Sequence, residues 1–126
     1  MPANVQLHQG FFAASLPGWV EKNPGPAAFI HVDSDLYEPA RCVFEHLQDR
    51  IVPGTVIVFD EYFNYPNWQE HEYKAFQELV ERCQVRYEYL AYARFQVAVR
   101  ITAIRPETEV RTLHASLAAD LERQPV

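Results

Sequence analysis

The sequence predicts an α/β fold: parallel strands joined by crossover helices, then an antiparallel hairpin and a terminal helix. Three observations predict it. Two apolar, β-rich runs, AAFIHV at 27–32 and TVIVF at 55–59, flank a segment of helical periodicity. A strand, a helix and a strand within about 35 residues form a parallel pair with a right-handed crossover. Two alternating runs, VRYEYLAY at 85–92 and FQVAVRITAI at 95–104, then follow almost end to end.

The elements can be justified in order. VQLHQ at 5–9 alternates and stops at Gly10, so it reads as a short strand. FFAASLPGWV predicts one or two helical turns broken at Pro17-Gly18. The run 27–32 is continuously apolar, the pattern of a strand buried on both faces. Pro39 suits a first helical turn, and Ala40, Val43, Phe44, Leu47 and Ile51 recur at helical spacing. Pro53-Gly54 ends that helix, and 55–59 is the second buried strand. Residues 64–67 are a loop. Tyr73, Phe76, Leu79, Val80 and Cys83 mark the face of a helix over 69–83, and Glu70, Glu72, Glu78 and Glu81 are expected on its solvated side. The short link at Ala93-Arg94 predicts the hairpin turn. Val110, Leu113, Leu117 and Leu121 lie along one face of the last helix, a packing helix or a dimer contact.

Bulk properties bound the function. The chain has 126 residues, 48% hydrophobic and 22% charged, enough for one small core. Its net charge of −6 argues against nucleic acid as a partner, because phosphate binding needs a basic face. It contains no apolar run of membrane-spanning length, and MPANVQLHQG lacks the features of a secretory signal. Cys42 and Cys83 fall on apolar helical positions and are expected as free thiols, in keeping with a cytoplasmic setting.

The two buried strands both finish in acids: Asp33 and Asp35 in HVDSD, Asp60 and Glu61 in FDEY. In α/β sheets ligands bind beyond the carboxyl ends of the strands. Residues two apart on a strand share a face, so Asp33 and Asp35 can converge there. Acids gathered in one place raise one another's pKa unless something compensates. A divalent cation does so, and an all-oxygen set suits Mg²⁺, Mn²⁺ or Ca²⁺. The plain alternative stays open: Asp35 could cap the next helix, and Asp60 and Glu61 could be polar residues at a strand end. His31, inside an apolar run, reads as a core or near-site histidine. YFNYPNW at 62–68 reads equally as a self-packed aromatic loop or as a substrate lid.

FIHVDSDLYEPARCVFEHL followed by IVPGTVIVFDEY resembles the macrocin O-methyltransferase family, class I S-adenosylmethionine-dependent enzymes that methylate sugar hydroxyls of natural products. VQLHQGFFAASLP is similar to the segment that precedes that motif in the family. The resemblance covers about residues 5–104 and implies a Rossmann-like sheet. It implies Asp33, Asp60 and Glu61 as ligands of Mg²⁺ (or Mn²⁺ or Ca²⁺), and Asp35 as the base that takes a proton from a sugar hydroxyl. The family commonly carries two aspartates where this chain has Asp60-Glu61.

The family's cofactor half, a strand, a glycine-rich turn and a second strand ending in an acid, has no counterpart among the four glycines here. The resemblance is therefore to the carboxyl-terminal part. It implies a truncated methyltransferase-like domain over 1–105, a helix and tail over 106–126, and S-adenosylmethionine binding only if the missing half is supplied. Residues 27–33 then have a bare edge, expected to pair with VQLHQ or with a second chain as a homodimer. The alternative function is a non-catalytic remnant acting as a binding or oligomerisation module.

Overall fold

A computed structural model describes residues 2–123. The elements are α1 (Phe12–Lys22), β1 (Phe29–Val32), α2 (Tyr37–Leu47), β2 (Val56–Phe59), α3 (Glu72–Arg82), β3 (Arg86–Ala93), β4 (Gln96–Ala103) and α4 (Glu107–Arg123), with 3-10 turns at Gln48–Arg50 and Trp68–Glu70. The strands form one sheet in the order β1-β2-β4-β3. β1 and β2 are parallel, and β4 runs antiparallel to both β2 and β3. The α/β class and the terminal hairpin are as the sequence predicts.

Register explains the core. Ile30 pairs with Ile57, which pairs with Val99, while Val32, Phe59 and Val97 form the next row. All six are buried, because alternate residues along neighbouring strands share a face. α2 and α3 pack on that face. Phe44, Phe59 and Phe76 meet at its centre, with ring centroids 5.0–5.9 Å apart. Each such burial contributes roughly 2–3 kcal/mol.

Several expectations are corrected. β1 and β2 are buried on one face only: Phe29 is 60% exposed, His31 is exposed, and Val56 and Val58 are half-buried. A continuous apolar run marks double burial only where a second layer covers the sheet. Residues 5–9 form no strand, and Val5 and Leu7 stay exposed. They do not cover β1, which is an edge of the sheet. α1 runs through Pro17 for 11 residues instead of breaking there, with Leu16, Trp19 and Val20 packed on the core. The hairpin turn falls at Arg94-Phe95, one residue later than expected, with Arg94 at φ 57°. Of the apolar face of α4 only Val110 is buried. Glu107 anchors the first turn of α4 through Gln48 and Arg82, and Leu117 and Leu121 are exposed. Both cysteines are free, Cys83 buried at the end of α3 and Cys42 partly so.

Candidate functional site

The sheet delivers its acids side by side. Val32 pairs with Phe59, and Asp60 N–H donates to the Val32 carbonyl at 2.9 Å. The ladder therefore extends one step past each strand, and Asp33 and Asp60 leave it together. The chain then turns sharply: Leu36 N–H donates to the Ser34 carbonyl at 2.7 Å, and Asp35 adopts φ 63°. Aspartate tolerates that left-handed conformation better than most residues. The turn folds Asp35 back over the strand end. Asp33, Asp35 and Asp60 each place a carboxylate oxygen within 4.8 Å of the others.

Asp35 does not cap α2. The N-cap position is Leu36, with no side-chain hydrogen bond to the helix. The capping alternative is thereby removed, and a carboxylate that is exposed and unspent locally points into the cluster.

Glu61 stands at the margin. Its side chain is not in the three-acid group, yet it feels it. Desolvation, then the charges of Asp35, Asp60 and Asp33, push its pKa up. Asp33 is likewise raised, by desolvation and then by Asp60. Little positive charge offsets this. His31 Nε2 lies 3.7 Å from Asp60 Oδ1, and among the described residues no lysine or arginine pairs with these four acids. His31 thus sits beside the site, as the sequence allowed. Gln96 Nε2, from β4, donates to Asp60 Oδ1 at 2.7 Å.

Sequence reasoning missed Glu72, which it assigned to a solvated helix face. The structure buries it completely. Its Oε2 accepts Ser34 N–H at 3.2 Å and Asp35 N–H at 3.1 Å, and its Oε1 accepts Glu61 N–H at 3.1 Å. Burial pushes the carboxyl up to about 7, while the three N–H donors pull it down. The spacing did hold a sign of this. Glu72 lies three, four and seven residues before Ala75, Phe76 and Leu79, all buried, so it shares their face.

A cleft of about 720 Å³ reaches Asp33 from the side of α1 and α2, where Asp33 and Ser34 line it with Phe12, Arg41 and His46. The aromatic loop packs elsewhere. Tyr62, Phe63 and Trp68 line a separate cleft with Tyr73, Tyr89 and Tyr92. Tyr62 is buried, and its backbone N–H donates to Phe95 in the hairpin turn at 2.8 Å. That bond fixes the chain just after Glu61.

A solved structure described as apo CalS11, a TDP-rhamnose 3′-O-methyltransferase of calicheamicin biosynthesis, matches with TM-score 0.59 and 25% identity, over 75% of this chain and 41% of that one. A second, described as CalS11, calicheamicin methyltransferase, matches with TM-score 0.57 and 22% identity, over 73% and 35%. The chain thus spans well under half the length of these structures. No curated protein matches it. The model of the macrocin-O-methyltransferase (TylF) family matches residues 1–86, and the acids of both motifs lie in or against that stretch's strand ends. By that match the chain belongs to the macrocin-O-methyltransferase family.

Proposed function

We propose that the chain is the acid-bearing, acceptor-side portion of a metal-dependent, S-adenosylmethionine-dependent O-methyltransferase acting on a hydroxyl of a small natural product, a sugar hydroxyl in the first instance. The convergence of Asp33, Asp35 and Asp60 carries this reading. The set fits a hard cation: it is all oxygen, its members are crowded, and its charge is hardly offset. Asp33 and Asp60 would hold Mg²⁺, with Mn²⁺ or Ca²⁺ as substitutes, and Glu61 would reach in from the margin. A bound divalent cation would polarise the acceptor hydroxyl and offset the negative charge.

Asp35 takes the acceptor's proton in this reading. It lies in the turn, is exposed, and makes no capping bond that would occupy it. The acceptor sits in the cleft beside Asp33 and Ser34. S-adenosylmethionine would supply the methyl group, and would be held only where a cofactor-binding half is supplied beside the open edge of β1. Residues 1–105 form the methyltransferase-like unit and 106–126 an appended helix and tail.

Calorimetric titration with Mg²⁺, and separately with S-adenosylmethionine, tests the reading. Mg²⁺ heat that Asp60→Asn removes supports it, whether or not the cofactor binds. Absence of any Mg²⁺ binding overturns it. The open β1 edge, with Phe29 exposed, favours one further reading, a module that pairs with a second copy, and binding of neither ligand would leave that role.

A further inference from the structure

We infer that Glu72 is a positioning residue that sets the two acid-bearing turns against each other, so that Asp35 and Asp33 are aimed at Asp60 and Glu61. The metal part of this inference rests on the function proposed above; the clamp itself does not. Glu72 is the first residue of α3, 37 and 38 positions from its partners in the turn after β1 and 11 from its partner in the turn after β2. One carboxylate oxygen serves each turn. A rigid planar group thereby fixes the separation of two loops that no strand ladder joins beyond Asp60.

A residue that only filled space here would be apolar. Burying a carboxylate costs several kcal/mol unless its oxygens are satisfied, and α3 already has apolar neighbours at Ala75 and Phe76 to bury. The three N–H groups lie in a part-buried setting and take Glu72 as their acceptor, as backbone donors shielded from water need a partner. The Asp35 N–H matters most. It belongs to the residue with φ 63°, a conformation that costs energy for a non-glycine residue. Glu72 accepts that N–H and so holds the turn that brings Asp35 over the cluster.

Glutamine is the informative replacement. Glu72→Gln keeps shape and size but leaves one oxygen acceptor, and its NH₂ faces an N–H donor of the other turn. Amide hydrogen exchange by NMR on the 126-residue chain reads the result. In Glu72→Gln, the amides of one turn, Ser34 and Asp35 or Glu61, exchange faster by about tenfold, the equivalent of a lost hydrogen bond. The amides of Ile57 and Val99 in the core stay at wild-type rates. Mn²⁺ affinity falls about tenfold, as for other groups that orient metal ligands.

Wild-type exchange at all three turn amides in Glu72→Gln overturns the clamp. So does acceleration shared equally by Ile57 and Val99, which marks a purely structural role. Unchanged Mn²⁺ affinity in a variant with a loosened turn overturns the positioning role. A wild-type chain that binds no Mn²⁺ overturns the metal reading alone, and the exchange rates still decide the clamp. Where Glu72→Gln does not fold, the wild-type chain decides. Its Ser34, Asp35 and Glu61 amides must be protected, and exchange at free-loop rates overturns the inference.

Discussion

The side-chain amide of Gln96 donates to Asp60 Oδ1 at 2.7 Å, tying β4 to the acid at the end of β2. The amide orients Asp60 without adding charge and leaves its second oxygen for a cation. Gln96→Ala is therefore expected to weaken Mg²⁺ binding by about tenfold, the size seen when a ligand's supporting hydrogen bond is removed. Gln96 is exposed, so stability should change by no more than about 0.5 kcal/mol. Calorimetry paired with thermal melts separates the two effects. Equal loss in both would mean that Gln96 supports the fold and not the site.

The buried carboxylate makes stability depend on pH. Burial lifts Glu72 from 4.5 to about 7. In the metal-free chain the folded state therefore keeps this proton where the unfolded chain has lost it, and stability falls as pH rises between those values. The contribution is whole below about 4.5 and is lost as pH rises through about 7. Asp33 and Glu61 are shifted in the same direction. Metal-free chain should be more stable at pH 5 than at pH 7.5, by roughly 2–3 kcal/mol at about 1.36 kcal/mol per unit of pKa. Denaturant titrations at the two pH values check it, and higher stability at pH 7.5 would contradict it.

Much of this was legible in the sequence. The βαβ unit showed in two apolar runs around the helical spacing of Ala40, Val43, Phe44 and Leu47, because local pattern and burial agree there. The acids showed because both strands end in them, and strand ends are where a parallel sheet presents its ligands. Three things were misread. The open face of β1 was hidden because AAFIHV reads the same whether or not a second layer covers it. Residues 5–9 alternate like a strand but have no neighbour to pair with. Glu72 was read as solvated because a charge usually is. Its burial depends on three N–H groups, two of them nearly forty residues away, and composition carries no trace of such partners.

The open edge of β1 is expected to associate. Phe29 lies on it with 60% of its surface exposed, and unpaired strand edges seek partners. Light scattering should show concentration-dependent association that Phe29→Lys reduces. A wild-type chain that stays a monodisperse monomer at high concentration would remove the dimer proposal and leave the acid site untouched.

The central claim is that Asp33 and Asp60, with Glu61 at the margin, hold a divalent cation beside Asp35. Electron paramagnetic resonance of Mn²⁺ added to the chain tests it most directly, since free and bound ions give distinct signals. The account predicts one bound Mn²⁺ per chain, lost in Asp33→Asn and in Asp60→Asn and weakened in Glu61→Gln. Free Mn²⁺ alone in the wild type, or bound Mn²⁺ that survives both aspartate substitutions, would contradict it.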